Sequence, residues 1–116
     1  MKTNIQLISL IKELKKASIE NDASIWKRIA KELEKPTKRR RAVNISKIDK
    51  VSEDNETVIV PGKVLAMGKL SKKLTIAAYR FSKSAQKKIQ EQGSKTLSIK
   101  ELIEQNPKGS KIKIVG

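Results

Sequence analysis

The sequence predicts an α/β or α+β fold in which an N-terminal helical pair precedes an irregular alternation of short strands and short helices. Apolar residues recur at helical spacing through the first third of the chain. After residue 44, short β-branched runs alternate with segments that begin at a serine. The chain has 116 residues, a length typical of one domain. We expect this domain to comprise the helical pair at 1–34, a basic arm at 35–43 and a mixed α/β part at 44–116.

Two helices are predicted at the start of the chain. A capping-box spacing begins at Thr3, and isoleucine and leucine then recur at helical spacing, which predicts a helix over about 4–17. Because its apolar stripe is wide, we expect this helix to be well buried. Asn21-Asp22 is expected to cap the second helix, and Pro36 is expected to end it. The apolar face of the second helix, with a tryptophan expected in the core, contains Ile25, Trp26, Ile29, Ala30 and Leu33.

The mixed part is predicted to begin with a short helical turn capped by Asn44. Pro61-Gly62 is expected to form a turn between two short strands. A further strand is expected before residue 82, and a last one at the end of the chain. The four predicted strands, each rich in β-branched or aromatic residues or alternating in polarity, are Thr57–Val60, Lys63–Ala66, Leu74–Phe81 and Lys111–Val115.

Two later helices are predicted from their end signals. Ser82 is a favourable N-cap, and Gly93 lies where a helix that begins there would need its C′ residue. Ser98 and Glu101 have the spacing of a capping box, and Asn106-Pro107 is expected to end that second helix.

Charge is the strongest functional signal in the sequence. The net charge is +15, from 27 Lys and Arg against 12 Asp and Glu. Residues 35–41 hold five cations and no acid, and residues 63–116 hold thirteen cations and three acids. A folded domain this positive repels itself unless a polyanion is its partner. Nucleic acid is therefore the leading candidate, and an acidic membrane is second because no basic helix with bulky aromatics is evident.

The residue types argue against an enzyme. Histidine and cysteine are absent, as are the glycine-rich phosphate-binding motifs. The Ser-x-x-Lys pairs that begin at Ser9, Ser24 and Ser84 each simply share one face of a predicted helix. The acids of residues 53–56 are expected to form a solvated loop, and no apolar run approaches the roughly 20 residues that span a bilayer. We expect no catalysis, cofactor, metal site, small-molecule substrate or membrane anchor, and the lack of cysteine favours an intracellular setting.

Two basic segments are candidate phosphate-binding sites. The first is the arm, which contains Lys35, Lys38, Arg39, Arg40 and Arg41. Arginine suits phosphate and exposed bases, because its planar guanidinium donates in a fork and stacks. A solvated strip and a nuclear-import signal remain alternatives for this arm. The second segment flanks Met67-Gly68 with lysines that would surround a phosphate at a small turn, the alternative being a hairpin tip decorated for solubility; its lysines are Lys63, Lys69, Lys72 and Lys73.

Longer stretches of the sequence resemble a known family. Leu33–Pro36, Arg39–Arg41, Val43–Ile48 and Val60–Leu65 resemble the archaeal and eukaryotic ribosomal large-subunit protein eighteen. The later blocks are also similar to the C-terminal half of the universal ribosomal protein fifteen; they are Lys63–Leu70, Leu74–Ile76, Phe81–Ala85 and Ile89–Gly93. The resemblance covers nearly the whole chain in the same order. It implies an α/β fold in which irregular, superhelix-like β-β-α turns with short strands and helices follow the N-terminal helical pair.

The resemblance implies a structural constituent of the large ribosomal subunit, located in the cytoplasm. Its implied partners are large-subunit ribosomal RNA and neighbouring ribosomal proteins, with the arm and the residue 63–73 segment facing the RNA. The chain lacks the extra length of eukaryotic members, so we expect an archaeal source. The arm is expected to be poorly ordered without RNA. A DNA-binding chromatin or regulatory protein is the alternative that the charge leaves open.

Overall fold

The computed structural model describes residues 5–35 and 42–116, which form five helices and five strands. The helices are α1 (Ile5–Asn21), α2 (Ser24–Glu34), α3 (Ile45–Val51), α4 (Lys83–Glu91) and α5 (Ile99–Gln105). The strands are β1 (Ala42–Asn44), β2 (Thr57–Leu65), β3 (Thr75–Phe81), β4 (Lys95–Ser98) and β5 (Ile112–Ile114). The predicted mixed α/β class, with a helical pair first, is confirmed.

All described strand pairs are parallel and form one five-stranded sheet. Four strands follow the order β1-β2-β3-β4, and the fifth, β5, also pairs with β2. β3 runs along one side of β2. On the other side, β5 pairs with residues 57–59 at the start of β2, and β1 pairs with residues 63–65 at its end. The central strand β2 is therefore paired with β3 on one side and with both β1 and β5 on the other.

Helices cover both faces of this sheet, and alternate strand residues point to different cores. Val58 and Val60 pack in the core formed with α3 and α4, whereas Ile59, between them, packs in the core formed with α1, α2 and α5. In β3, Ile76 packs in the core with α3 and α4, and Ala77 packs in the core with α1, α2 and α5. Burial on both faces explains why the central strands are nearly continuous apolar runs.

The helical pair differs from its prediction in burial and in capping. α1 runs four residues beyond Ala17, and its first turns are exposed: Ile5 is 78% and Ile8 41% accessible. The expectation that this helix is well buried is therefore wrong. The capping expectation is wrong as well, because the residue before α2 is Ala23, with no side-chain cap, and Asn21 is still part of α1. Asp22 forms the tight turn between the helices with a positive φ of 50°.

The expected turn at Pro61-Gly62 is also wrong, because Thr57–Leu65 is one continuous strand. β3 pairs with β2 on both sides of these two residues, and the register shifts between Val60 and Lys63. A proline has no N–H to donate, so within a sheet it is confined to edges and irregularities such as this one. The link from β2 to β3 is therefore a crossover between parallel strands, residues 66–74, and not a hairpin tip.

Two strands were not predicted. β1 follows the basic arm directly, and Val43 within it is buried. The expected boundary between the arm and the mixed part, at residues 43 and 44, thus falls inside a strand. β4 lies on the edge of the sheet beyond β3. Both are short, at three and four residues, and their strand conformation depends on pairing with neighbours distant in sequence.

The serine caps of the later helices are confirmed. The Ser82 hydroxyl accepts from the amide of Ala85 at 3.1 Å, and Ser98 and Glu101 form the full capping box. Gly93 follows α4 with a φ of +83°, and the amides of Gly93 and Ser94 donate to carbonyls in the last turn. This is the Schellman arrangement, in which glycine is favoured by the left-handed conformation.

Candidate nucleic-acid interface

The sheet brings two cations together where β2 and β3 approach their carboxyl ends. Lys63 on β2 and Arg80 on β3 are register partners, so their Cα atoms are one strand spacing apart, about 4.8 Å. The next pair, Val64 and Phe81, packs in the core beside α3 and α4, and Lys63 and Arg80 are both exposed. The parallel register therefore places two like charges side by side on the surface.

A third cation stands beside this pair at the start of α4. The amide of Ser82 donates to the carbonyl of Val64 at 2.9 Å, which holds the beginning of α4 against the end of β2. Lys83, the first residue of α4, is exposed, and the first turn of the helix contains no acid. A helix N-terminus carries partial positive charge, so this helix end adds to the local excess. We call Lys63, Arg80 and Lys83 the basic end of the sheet.

None of these three cations forms an ion pair with an acid in the part of the chain that the structure describes. The guanidinium carbon of Arg80 instead lies 5.3 Å from the centre of the Tyr79 ring. Such a cation–π contact steadies the guanidinium and leaves its N–H donors available. The basic end is thus an uncompensated positive surface.

Sequence reasoning did not select Arg80 as a site residue. The available signal was a single cation within the otherwise uncharged run Thr75–Phe81. Its juxtaposition with Lys63 depends on the register shift beyond Val60, which local patterns do not reveal.

The opposite end of the sheet is electrically balanced. Lys113 in β5 donates to a Glu56 carboxylate oxygen at 3.1 Å and to the Val51 carbonyl at 2.7 Å. Hydrogen bonds from the Glu53 amide and the Lys113 ammonium lower the pKa of Glu56. Lys113 at this end is thus paired with an acid, whereas Lys63, Arg80 and Lys83 have no such partner in the described ranges.

The structure does not bring the four lysines of the residue 63–73 segment together. The carbonyl of Lys73 accepts from the amide of Asn55 at 2.7 Å, just before β2 begins. Lys63 lies eight residues further along the extended chain from Asn55, a distance of about 25 Å. Lys73 is therefore at the balanced end of the sheet and cannot share a phosphate with Lys63.

Lys72 points into the protein. Its ammonium donates to the carbonyls of Asp49 and Ser52 at the end of α3. The Asp49 carboxylate in turn accepts from the amides of Ser71 and Lys72, at 2.9 and 3.2 Å, and from the Ser71 hydroxyl. These bonds fix the crossover against α3, and the Lys72 charge is used within the fold.

Lys69 is exposed in the same crossover. The turn before it is tightly packed, because the amide of Ser46 donates to the carbonyl of Met67 at 3.3 Å and a Cβ on Gly68 would lie 2.3 Å from the Ser46 Cβ. The ammonium of Lys88 donates to the Ala66 carbonyl at 3.0 Å. Glycine at position 68 thus permits a close approach of the crossover to α3. The group approached is Ser46 of the same chain, whereas a phosphate was expected.

Only the edges of the basic arm lie within the described residues. Lys35 follows α2, and its ammonium contacts both carboxylate oxygens of Glu32, at 3.1 and 3.0 Å. Ala42, at the other edge, is the register partner of Lys63. Four predicted site residues lie outside the described ranges; they are Lys38, Arg39, Arg40 and Arg41.

Residues 5–35 and 42–116 contain neither a metal-binding cluster nor a helix that could span a membrane. No cluster of three or more acidic, histidine or cysteine side chains there has the arrangement needed to hold a metal ion. Every helix in these ranges is too short or too polar to traverse a bilayer.

Comparison with known proteins adds to this geometry. The model of the family described as ribosomal protein 60S L18 and 50S L18e matches residues 2–115. The chain is 46% identical over 114 residues to the large ribosomal subunit protein eL18 of Methanothermobacter thermautotrophicus, covering 98% of this chain and 94% of that protein. It is 43% identical over 118 residues to the eL18 protein of Methanopyrus kandleri, covering 97% and 93%. Identity to the Archaeoglobus fulgidus eL18 protein is 43% over 114 residues, covering 98% and 97%.

Proposed function

We propose, from the premise that the chain belongs to the family of ribosomal proteins 60S L18 and 50S L18e, that it binds large-subunit ribosomal RNA through the basic end of its sheet and through the arm that precedes β1. Membership of this family makes the chain a structural component of the cytoplasmic ribosome and not an enzyme. The proposal concerns which surface meets the RNA, and by what chemistry.

The observation that carries the proposal is the register of Lys63 with Arg80. These two unit charges, carried by side chains on neighbouring positions of adjacent strands, repel each other. Since no acid in the described ranges offsets them, a phosphate that lies between them gains attraction from both and relieves their repulsion. The N-terminus of α4 beside them favours the same negative charge.

The arm extends this surface through the chain itself. Because Ala42 pairs with Lys63, the chain enters the sheet directly beside the basic end. Arg39, Arg40 and Arg41 come immediately before Ala42 in the sequence. Their guanidinium groups suit bidentate contact with phosphate and stacking on exposed bases. RNA backbone and shape, more than base edges, are what such a surface recognises.

The four lysines of the residue 63–73 segment have three different roles under this proposal. Lys63 and Lys69 are exposed and available for phosphate, whereas Lys72 holds the crossover in place. Lys73 stands apart at the balanced end, where it would contact a different stretch of RNA from Lys63.

The proposal is tested with the double variant Lys63→Met, Arg80→Met, with affinity for a large-subunit ribosomal RNA fragment measured between 50 and 200 mM salt. Each lost phosphate contact lowers the slope of log affinity against log salt by about 0.7 to 0.9, so we expect a decrease of about 1.4 to 1.8.

The matched control is Lys15→Met, Lys16→Met, which removes the same charge. Both lysines lie on α1 and pair with glutamates, at 3.0 and 3.7 Å, whereas Lys63 and Arg80 have no such partner in the described ranges. Its slope should remain close to that of the wild-type protein. Equal slopes for the two double variants would show that binding follows net charge alone and would reject the assigned surface.

A further inference from the structure

The charges of this domain are divided unequally between the two faces of its sheet. α3, α4 and the crossover at residues 66–74 cover one face, and they contain eight lysines and two acids. α1, α2 and α5 cover the other face, and they contain seven cations and six acids. We call these surfaces the α3–α4 face and the helical-pair face. The first has a large excess of positive charge, and the second is close to neutral.

Acids on the helical-pair face neutralise many of its cations. Ion pairs at 3.0 to 3.7 Å on this face or at its edge are Lys15–Glu34, Lys16–Glu20, Lys35–Glu32 and Lys100–Glu13. Lys27, Arg28 and Lys31 of α2 are exposed and form no ion pair in the described ranges, but Glu32 and Glu34 follow Lys31 within one turn. A phosphate that approaches this face therefore meets carboxylates as well as cations.

The two acids of the α3–α4 face leave most of its charge uncompensated. The Asp49 carboxylate accepts hydrogen bonds from the amides of Ser71 and Lys72, and Glu91, the last residue of α4, lies 4.0 Å from Lys87. The exposed lysines of this face that form neither an ion pair nor an ammonium hydrogen bond within residues 5–35 and 42–116 are Lys47, Lys50, Lys69, Lys73 and Lys83.

The acids of the loop that follows α3 lie at the balanced end of the sheet. The Asp54 carboxylate accepts from the amide of Lys73 at 3.0 Å, and the Glu56 carboxylate is bound to Lys113 at 3.1 Å. These acids are therefore engaged with the crossover and β5. They do not pair with Lys47 or Lys50 on α3.

The α3–α4 face is continuous with the basic end of the sheet. The backbone of Gly68 packs directly against Ser46, so Lys69 and Lys47, which follow these two residues, stand on either side of one close contact. The ammonium of Lys88 donates to a crossover carbonyl at 3.0 Å and joins α4 to the same segment. The lysines of α3, the crossover and α4 thus belong to one surface, which adjoins the basic end where α4 begins.

We infer that the RNA surface extends from the basic end over the α3–α4 face, and that the helical-pair face stays clear of RNA. The inference rests on the proposed function and adds to it the face that the domain turns towards the RNA. The cations of the α3–α4 face are all lysines, whereas the cluster just before β1 contains three arginines. An ammonium attracts phosphate as a point charge and lacks the planar fork of guanidinium. The face therefore contributes affinity for the RNA backbone and no reading of bases.

The inference is tested with Lys47→Met, Lys50→Met, whose affinity for the large-subunit ribosomal RNA fragment is measured over the same range of salt. Loss of two phosphate contacts should lower the slope of log affinity against log salt by about 1.4 to 1.8. Lys47→Arg, Lys50→Arg keeps both charges and should have the wild-type slope. A wild-type slope for the methionine variant would overturn the inference.

The matched control for this test is Lys27→Met, Lys31→Met on the helical-pair face. These two lysines are also exposed, lie one turn apart on one helix and form no ion pair in the described ranges. The two double variants therefore differ in the face that is changed and not in charge or pairing. The control should keep the wild-type slope, and an equal fall for both variants would reject the assignment of a face.

The Lys63→Met, Arg80→Met variant separates this inference from the proposed function. A lower slope for that variant, together with a wild-type slope for Lys47→Met, Lys50→Met, would confine the RNA to the basic end and overturn this inference alone. The opposite result would support the α3–α4 face and overturn the site proposed at the basic end.

The orientation of the domain is tested independently by lysine acylation of the wild-type protein, free and bound to the RNA fragment, with the modified positions located by mass spectrometry. We expect Lys47, Lys50 and Lys69 to lose reactivity in the complex, and Lys12 and Lys27 to react as in the free protein. Protection of Lys12 and Lys27 in place of the α3–α4 lysines would contradict the inference.

Discussion

Asp49 holds the crossover in place, because its carboxylate accepts hydrogen bonds from the amides of Ser71 and Lys72 and from the Ser71 hydroxyl. Burial acts to raise the pKa of Asp49, but these hydrogen bonds and the charge of Lys72 outweigh it, and the net pKa is lowered. A lowered pKa means that the folded protein favours the carboxylate. The resulting stability is present above the unfolded pKa of about 4 and is lost as pH falls through the folded value.

We therefore expect Asp49→Asn to lower the free energy of unfolding by about 1 kcal/mol at neutral pH. Below about pH 4 the variant should lose less further stability than the wild-type protein, because the titrating group is gone. Urea unfolding at a series of pH values measures both effects. Asp22→Asn is the control, since Asp22 is exposed and asparagine tolerates its positive φ. Parallel pH profiles for Asp49→Asn and the wild-type protein would contradict the prediction.

Gly68 and Gly93 separate two costs of replacing glycine. Both have positive φ values, +93° and +83°, so alanine is strained at either position. At Gly93 the nearest atom to a new Cβ is a flexible lysine carbon at 3.8 Å, whereas at Gly68 the Ser46 Cβ would be 2.3 Å away. We expect Gly93→Ala to cost about 1 kcal/mol and Gly68→Ala about 2 to 4 kcal/mol. Chemical denaturation measures both losses in the free energy of unfolding. Equal losses would contradict the prediction, because they would mean that α3 moves away from the new Cβ at no cost in free energy.

At the scale of elements, Lys72 and Lys69 lie in one crossover and should behave oppositely. Lys72→Met leaves the Asp49 and Ser52 carbonyls without their ammonium donor, so we expect a loss of about 1 to 3 kcal/mol in the free energy of unfolding. Lys69→Met should leave stability unchanged and lower the salt slope of RNA binding by about 0.7 to 0.9. Thermal melts and salt titrations on both variants test this division. A stable Lys72→Met chain with a reduced salt slope would reverse the assignment.

The elements that were predicted best are those with local signals. The caps at Ser82 and Ser98 join atoms three residues apart, so the sequence contains the whole interaction. β1 and β4 escaped prediction because three or four residues become a strand only by pairing with β2 and β3, which lie far along the chain. Pro61-Gly62 has the same explanation, since the pairing of β3 with β2 on both sides of these residues outweighs the local preference for a turn.

The candidate site follows the same rule. Exposed lysines such as Lys63 and Lys69 were identified from composition alone. The inward direction of Lys72 and the pairing of Arg80 with Lys63 were not, because both depend on where the crossover and the register shift place a side chain. Composition predicted a polyanion partner, and the sheet register then located the uncompensated charge.

For the whole molecule, the decisive property is that the residues proposed to bind RNA are not the residues that form the core. The core is aliphatic on both faces of the sheet, and the most concentrated charge lies in the sequence just before β1. The chain should therefore still fold when the charges of the arm are reversed. Its binding to a polyanion should then be lost. The two variants to be compared should have the same net charge and differ only in the positions of the reversed charges.

We expect Arg39→Glu, Arg40→Glu, Arg41→Glu to fold normally and to fail to enter large subunits. The change turns three positive charges into three negative ones and lowers the net charge from +15 to +9. The control Lys27→Glu, Lys31→Glu, Lys108→Glu makes the same change at exposed positions outside the arm and should still assemble. Thermal melting measures folding, and sucrose-gradient sedimentation after a moderate salt wash measures incorporation. Cosedimentation of the arm variant with the subunit would show that the basic end suffices without the arm, since the arm's arginines are the only cations that differ between this variant and the wild-type protein.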